Sequence, residues 1–355
     1  MGEPDFETPP EIVNAAIQAL HEGETHYADQ QGLPELRQRI IQYECSGNSQ
    51  LKLTPEQVLV TQGATAALSA LILSQIGPGD RVVIPQPAYS LYADLVTLAG
   101  GEVDFIKLAD DLHFDFDEIR SHISGAKMVI FSNPSNPNGI VHSRAELEGL
   151  IELVRDTETL LVCDEAYSSL VYGQKSFTSI LSLSGSNQNI VYIQTFSKKF
   201  AMTGWRIGYL IANQSVTNAA ALFHRTVNGS LNTAVQYAAL QALDLEESTV
   251  ESMAKEYSER RNIVVEKLHK VPNIKLIEPE GAFYTFIRYY SDKPSVEVVQ
   301  DLAELGVVTR AGSEYGPDGE HHIRLSFSTA EQDLVRGLSI VAEYFTRMNT
   351  EKGDD

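Results

Sequence analysis

Cysteine, tryptophan and basic side chains are scarce in this sequence. Its 355 residues include 2 cysteines, Cys45 and Cys163, which do not form a Cys-x-x-Cys string. We therefore expect no disulfide framework, no metal site and a reducing, cytoplasmic location. Lys plus Arg number 27 against 48 Asp plus Glu, which gives a net charge of −21. Because a basic surface is missing, we expect neither nucleic acid nor an anionic membrane as a partner.

Long apolar runs and several catalytic signatures are also missing. No run of the sequence approaches the roughly 20 apolar residues that a membrane-spanning helix needs, and the acidic, turn-like start does not resemble a targeting segment. The strings GxGxxG, GxxxxGK, GxSxG and HExxH do not occur. The sequence therefore offers no motif for a Rossmann dinucleotide site, a P-loop, an α/β-hydrolase elbow or a zinc protease.

What is present is the pattern of an α/β protein. Hydrophobic residues make up 43% and charged residues 21% of the chain, and its length exceeds the usual size of one core, so we expect two domains. Short apolar runs alternate with segments whose apolar residues have helical spacing. This alternation predicts a mostly parallel central sheet flanked by helices. The predicted strands are Val58–Thr61, Val82–Ile84, Val103–Ile106, Met128–Phe131, Leu160–Cys163, Ile190–Gln194 and Ile207–Ile211, and predicted helices between them include Ala64–Gln75, Leu91–Ala99 and Arg144–Arg155.

After about residue 235 the pattern changes to that of a smaller α+β domain. Long helices are predicted first, then short strands, then a final helix that ends near Met348. The segments are Gln236–Leu245, Val250–Lys270, Lys275–Ile277, Ala282–Ile287 and His322–Phe327. We expect residues 46–235 to form the large domain and 236–355 the small one, with the N-terminal segment 1–45 joining the small domain.

Polar residues follow several predicted strands, where ligands of α/β sheets bind. The segment 190–208, IVYIQTFSKKFAMTGWRIG, ends a strand and continues with Thr195, Lys198, Lys199 and Arg206. A lysine amine near hydroxyls and an arginine can form a Schiff base with an aldehyde once its pKa is lowered. Taken alone, the two lysines would be interpreted as ordinary surface residues.

Two further strands are followed by groups that suit a heterocyclic ligand. Asp164 comes directly after an apolar strand, where an unpaired carboxylate is costly, so it could hold a protonated ring nitrogen. Tyr167 could donate to a ring oxygen, and Asn136, in FSNPSNPNG with its rigid and possibly cis Asn-Pro turns, could present its amide to the cleft. The alternatives are a carboxylate that caps a helix and a plain turn.

The same pattern supplies a place for a phosphate. Gly63, Ala64 and Thr65 open a helix after a strand, and their backbone N–H groups could bind an anion at its positive end. Tyr89 follows another strand and could cover an aromatic ring, or simply pack. Together with Thr195 and Arg206 for the phosphate, Lys198 for the aldehyde and Asp164 for the ring nitrogen, these groups indicate pyridoxal 5′-phosphate as the cofactor.

The motifs that carry these residues resemble those of the class I/II aminotransferases, the fold-type I, aspartate aminotransferase-like enzymes that use pyridoxal phosphate. The resemblance covers nearly the whole chain. The motifs are GEPDFETPP (2–10), Tyr27-x4-Gly32-x4-Arg37, TQGATAAL (61–68), NPSNPNG (133–139), DEAY (164–167), SKKFAMTGWRIGY (197–209), GAFY (281–284) and RLSF (324–327). The resemblance implies a large domain around a mostly parallel sheet and a smaller α+β domain, and it selects Lys198 over Lys199 as the Schiff-base lysine.

The resemblance also implies roles outside the central segments. Arg324 matches the arginine that binds the substrate α-carboxylate, and Gly2 matches a glycine near that carboxylate. Tyr27 matches a tyrosine that reaches the phosphate in the neighbouring subunit, so a homodimer with shared sites is expected. The implied reaction moves an amino group from an α-amino acid to a 2-oxo acid by a ping-pong mechanism. Without the resemblance, Arg324 would be interpreted as part of a strand salt bridge.

The sequence departs from the family pattern at a few places. The GEPDF-like segment begins at residue 2, so we expect the usual arm before it to be absent. Lys199 is a variation, as is Arg310-Ala311-Gly312, where a proline–glycine pair is common. Thr65 stands where some aspartate-specific members carry a lysine. The same fold also hosts lyases, cyclases and other amino-acid-modifying enzymes, and these remain the alternative function. A non-enzymatic relative is not favoured because the key residues are present.

Overall fold

The computed structural model describes residues 2–46, 48–185, 187–245 and 247–348, which form two sheets covered by helices. The helices are α1 (Pro10–His21), α2 (Pro34–Glu44), α3 (Ala64–Gln75), α4 (Leu91–Leu98), α5 (Phe116–Ile123), α6 (Arg144–Val154), α7 (Ile180–Leu183), α8 (Phe196–Lys199), α9 (Gln214–Asn228), α10 (Thr233–Leu243), α11 (Glu247–Leu268), α12 (Ser295–Glu304) and α13 (Glu331–Arg347). The strands are β1 (Val58–Thr61), β2 (Arg81–Gln86), β3 (Glu102–Lys107), β4 (Met128–Ser132), β5 (Leu160–Asp164), β6 (Ile190–Thr195), β7 (Gly208–Ile211), β8 (Ile274–Leu276), β9 (Tyr284–Tyr289), β10 (Arg310–Ala311) and β11 (His322–Ser326). The mixed α/β fold is the predicted one.

The larger sheet has seven strands in the order β1-β7-β6-β5-β4-β2-β3. Strand β7 runs antiparallel to both of its neighbours, and the other pairings are parallel. The prediction of a mostly parallel sheet is confirmed. Because β4 to β6 run in one direction, the residues that follow them meet at one edge of the sheet.

Both faces of this sheet are covered, which explains the continuous apolar runs of its strands. Along β4, Val129 and Phe131 pack in one core while Met128 and Ile130 pack in the core on the opposite face. Strand β5 is buried at every position up to Asp164. The polar residues at the ends of these strands are therefore held by a rigid layer.

The smaller sheet has four antiparallel strands in the order β10-β11-β9-β8. Its core contains Phe283, Ile287 and Leu325, with Leu338 and Phe345 from α13. Helix α11 packs on α13. Arg324 lies on β11 and faces Arg310 of β10 in the register of this sheet.

The N-terminal helices pack differently from the expected arrangement, in which residues 1–45 join the smaller domain. Ile12 of α1 and Leu36 and Ile40 of α2 are fully buried in the core of the larger sheet, and α1 packs mainly on α10. The stretch before α1 contacts the smaller unit, through Phe6 on Tyr257 and through the ion pair of Asp5 with Arg260. The apolar faces of these two helices fit the larger core. The domain boundaries at residues 45 and 235 stay a prediction.

None of the helices in the described part of the chain is sufficiently long and apolar to cross a membrane.

Candidate active site

One cavity of about 520 Å³ lies where polar residues from both sheets meet. The residues predicted for a functional site that line it are Gly2, Ala64, Thr65, Tyr89, Asn136, Asp164, Tyr167, Thr195, Lys198, Arg206 and Arg324. Gly63 lies at its border, since a Cβ atom built there would be 2.8 Å from Nη2 of Arg206. The structure thus brings together residues that are up to about three hundred positions apart in the sequence.

The turn after β6 places the two adjacent lysines in different surroundings. Thr195 opens the short helix α8, because its Oγ1 accepts a hydrogen bond from the backbone of Ser197 at 3.2 Å. Nζ of Lys198 enters the cavity and donates to the carbonyl of Gly2 at 2.6 Å. Nζ of Lys199 instead donates to the hydroxyl of Tyr43. Only the first of the two amines can reach a ligand in this cavity.

The surroundings of Lys198 favour the neutral form of its amine. Burial lowers its pKa to about 8, and the nearby guanidinium groups of Arg206 and Arg324 act in the same direction. The carboxylates of Glu3 and Asp164 oppose this effect. A pKa near neutrality lets one amine act both as a base and as a nucleophile.

Asp164 is a buried carboxyl group at the end of β5 whose hydrogen-bond partners in the described part of the chain are neutral. The hydroxyl of Tyr92 donates to its Oδ2 at 3.0 Å, and the backbone N–H of Ala166 donates to its Oδ1 at 3.1 Å. Burial raises the pKa of Asp164 to about 6, although these hydrogen bonds and Lys198 lower it. Such a group gains most from a cationic partner inside the cavity.

The neighbouring Glu165 is buried as well but faces away from this cavity. Its Oε1 accepts a hydrogen bond from the backbone of Ile180 at 2.7 Å, and its Oε2 has no partner among the described residues. Burial raises the pKa of Glu165 to about 8. Because the folded protein keeps this proton more tightly than the unfolded chain does, stability should fall as pH rises from about 4.5 to 8.

We expect Glu165→Gln to stabilise the protein at alkaline pH. An amide keeps the acceptor oxygen and cannot ionise, so the variant should unfold like the parent at pH 4.5. At pH 8.5 it should be more stable by about 3–5 kcal/mol. Urea unfolding at both pH values measures this difference, with the exposed Glu259→Gln as the control. A difference that does not change with pH would contradict the expected titration.

Tyr167 and Asn136 line the cavity beside Asp164. The hydroxyl of Tyr167 forms a 2.9 Å hydrogen bond with that of Tyr284. The Oδ1 of Asn136 accepts a 2.9 Å hydrogen bond from Nη1 of Arg324. Both Asn-Pro bonds of this loop, at Pro134 and Pro137, are cis, in agreement with the expected rigid turn. These contacts fix the orientation of two side chains that could bind a ring substituent.

The start of α3 forms a cradle for an anion. Gly63 has φ +83°, a conformation that favours glycine, and no side chain caps the helix that begins at Ala64. The guanidinium of Arg206 lies against Gly63, and Thr65 and Thr195 also line the cavity. The N–H of Gly63 donates to the carbonyl of Thr61 at 2.8 Å, which leaves the N–H groups of Ala64 and Thr65 at the helix start. These two donors and the adjacent cation fit a phosphate.

Arg324 keeps donors for a further ligand. Its Cζ lies 4.2 Å from the ring centroid of Tyr284 and 5.0 Å from that of Tyr315. Its Nε is buried without a hydrogen-bond partner in the described part of the chain. Arg324 forms no ion pair among the residues that the structure describes, so the alternative of a strand salt bridge is not observed, and a carboxylate from outside could complete its contacts.

For two of the predicted cofactor-binding residues, Tyr89 and Tyr27, the structure shows no contact that bears on cofactor binding. Tyr89 lines the cavity with its ring edge-on to Tyr92 at 5.6 Å, so its stacking on a ligand stays a prediction. The side chain of Tyr27 is 96% exposed and does not line the cavity. Its role in a neighbouring subunit also stays a prediction.

Sequence reasoning missed several residues of the cavity. Tyr92 lies three positions after Tyr89, and this helical spacing was a signal that both could face one ligand. Tyr284 belongs to the GAFY motif, and its contact with Gly2 is so close that a Cβ there would lie 1.7 Å from its hydroxyl. Arg310 and Glu314 also line the cavity. Their place depends on the pairing of β10 with β11, which the local sequence does not indicate.

The residues present fit pyridoxal 5′-phosphate. The uncapped start of α3 beside Arg206 suits a phosphate, and the buried Asp164 has no cation in direct contact among the residues that the structure describes. The amine of Lys198 opens into the same cavity. A ligand with a phosphate, a basic ring nitrogen and an aldehyde satisfies all three groups at once.

The family model of class I and II aminotransferases matches residues 1–339 of this chain. The chain belongs to the class I and II aminotransferases. It is 37% identical to the aspartate aminotransferase of Thermotoga maritima over 347 residues, which are 97% of this chain and 89% of that protein. It is therefore an aminotransferase of a family that uses pyridoxal phosphate.

Solved structures agree with this assignment. The aspartate aminotransferase of Thermus thermophilus, solved with maleate, superposes with a TM-score of 0.91 at 32% identity and covers 97% of this chain and 90% of that one. The aromatic aminotransferase of Pyrococcus horikoshii superposes with a TM-score of 0.92 at 32% identity, with coverage of 97% and 94%. Aminotransferases similar to this chain are thus named for amino-acid substrates with different side chains.

Proposed function

We propose that this aminotransferase binds pyridoxal 5′-phosphate in the described cavity with Lys198 and Asp164 as its catalytic residues. The observation that carries the proposal is that the amine and the carboxyl group are buried in one cavity with pKa values of about 8 and about 6. Both groups can therefore change protonation near neutral pH. Tyr167 is the third catalytic group and binds the ring oxygen together with Asn136.

The proposed roles of the cofactor, Asp164 and Lys198 follow from their positions in the cavity. When bound, pyridoxal 5′-phosphate supplies an aldehyde for the amine and a protonated ring that accepts electrons. Asp164 holds the proton on the ring nitrogen, because a buried carboxylate favours a cation beside it. Nζ of Lys198 removes the α-proton of the amino acid and later returns a proton, which its lowered pKa permits.

The remaining cavity residues bind and orient. The N–H groups of Ala64 and Thr65 hold the phosphate together with Thr195 and Arg206, and Tyr89 covers the face of the ring. The N–H of Gly63 donates to the carbonyl of Thr61 at 2.8 Å, so Gly63 contributes the turn that starts the helix. Arg324 binds the substrate α-carboxylate as a planar two-pronged donor, assisted by Asn136. Gly2, whose carbonyl accepts from Nζ of Lys198 at 2.6 Å, lies near the carboxylate end of the substrate in this proposal.

We also propose a homodimer with shared sites. Tyr27 is almost fully exposed on one chain, although its family counterpart contacts the cofactor phosphate. A second copy that receives Tyr27 in its cavity would account for this exposure and for the role that the resemblance implies. The cytoplasmic location is kept as a proposal as well, and the free thiols of Cys45 and Cys163 support it.

The proposed substrates are an α-amino acid and a 2-oxo acid, which exchange an amino group in two half-reactions. Because many of the similar proteins are named aspartate aminotransferases, aspartate is the first amino donor to test. A lyase or a cyclase of the same fold is the second candidate, since the residues that bind the cofactor do not fix the reaction.

A half-reaction distinguishes the two candidates. The holoenzyme is mixed with an amino acid in the absence of any 2-oxo acid, and the products are quantified. We expect one equivalent of 2-oxo acid per active site and no further turnover until an acceptor is added. Continuous release of ammonia and an oxo acid without an acceptor would instead identify a lyase.

A further inference from the structure

The cavity contains one more cation than the proposed function uses. Among the residues that the structure describes, four cationic side chains line it: Lys198, Arg206, Arg310 and Arg324. In the proposed function, the amine of Lys198 is catalytic, Arg206 binds the phosphate and Arg324 binds the α-carboxylate. No role is assigned there to Arg310. In a protein with a net charge of −21, a group of cations in one cavity points to an anionic ligand.

Strand pairing places Arg310 beside the proposed carboxylate-binding residue. Arg310 of β10 is directly opposite Arg324 of β11 in the antiparallel register. Side chains that are directly opposite point to the same face, with Cβ atoms about 5 Å apart. The two guanidinium groups therefore approach the cavity from one wall, and a short molecule can contact both.

The partner of Arg310 in the structure is itself a carboxylate. Glu314, one turn further along, forms an ion pair with Nη2 of Arg310, and both side chains are partly exposed. Its Oε1 also accepts a long 3.3 Å hydrogen bond from the backbone of Ala311. Partly exposed ion pairs contribute little to stability, so this carboxylate can be exchanged for another.

We propose that Arg310 binds the second, side-chain carboxylate of a dicarboxylic amino acid or oxo acid, and that Glu314 occupies it when no such substrate is bound. The proposal rests on the proposed function, because it assumes that Arg324 holds the first carboxylate. A planar guanidinium binds either carboxylate through the same pair of N–H groups. Glu314 thus competes with the substrate and keeps Arg310 paired in its absence.

Binding of a non-reactive probe tests this role without relying on turnover. Succinate carries two carboxylates and propionate one, and neither has an amino group to transfer. Calorimetric titration of the holoenzyme gives the dissociation constant of each acid for the parent and for Arg310→Gln, Glu314→Gln and Arg288→Gln. The last variant removes an equal charge from the same small sheet outside this cavity.

The two substitutions should act in opposite directions. Arg310→Gln should weaken succinate binding about tenfold and leave propionate unchanged, because one charge-assisted contact is lost. Glu314→Gln should strengthen succinate binding several-fold since the competing carboxylate is gone, and Arg288→Gln should change neither acid. The same ranking should hold in KM for aspartate against KM for alanine.

An unchanged succinate affinity in Arg310→Gln would overturn the proposal, as would an equal loss for both acids. Weaker succinate binding in Glu314→Gln would also overturn it, since the ion pair would then be purely structural. The half-reaction described above fails or succeeds independently of these binding constants. A failure of the proposed function can therefore be distinguished from a failure of the role of Arg310.

Discussion

Replacement of Lys198 by alanine should abolish amino transfer. The variant loses the only lysine amine that opens into the cavity in the described part of the chain, and with it both the base and the group that bonds the cofactor aldehyde. We expect kcat to fall by about 10⁴-fold. Steady-state rates with aspartate and 2-oxoglutarate measure the loss, and borohydride treatment followed by peptide mapping should label position 198 in the parent.

Lys199→Ala is the matched control for this experiment. The two lysines are adjacent in sequence, but the amine of Lys199 contacts Tyr43 outside the cavity. The control should therefore retain activity within a few-fold of the parent and should still be labelled at position 198. Comparable loss in both variants, or parent-like transfer in Lys198→Ala, would refute the assignment.

Conversion of Asp164 to asparagine should lower kcat by about 10²- to 10³-fold, as expected for the loss of one preorganised electrostatic contact. An amide has nearly the same shape and can keep the contacts with Tyr92 and Ala166, but it cannot carry the charge that favours a ring cation. The catalytic rate of the reconstituted variant measures the effect, since cofactor can be added in excess. Unreduced activity would exclude a charge role for this residue.

The pH dependence of cofactor binding gives Asp164 a second readout. With a pKa of about 6, the carboxyl is increasingly protonated as pH falls below 6. Its attraction for a ring cation then disappears, so the affinity of the parent for the cofactor should decrease below that pH. Asp164→Asn should lack this part of the pH dependence, and Glu165→Gln, whose carboxyl faces another pocket, should retain it.

The sequence alone was sufficient to predict the central fold and the kind of functional site. The apolar runs at Val58–Thr61 and Leu160–Cys163 became β1 and most of β5 because a strand buried on both faces needs an unbroken apolar stretch. Polar residues that follow such strands must meet at one edge of a parallel sheet. Lys198, Asp164 and Asn136 could therefore be expected in one cavity from their order along the chain.

The surroundings of these residues were decided by the tertiary structure. The packing of α1 and α2 on the larger core, the hydroxyl of Tyr92 on Asp164, the burial of Glu165 and the pairing of Arg310 with Glu314 beside Arg324 are examples. The first two join segments far apart in the chain, and the others depend on how strands and loops pack around one residue. Hydrophobic periodicity fixes which face of an element is buried, but the partner that covers this face is selected by the packing of the whole molecule.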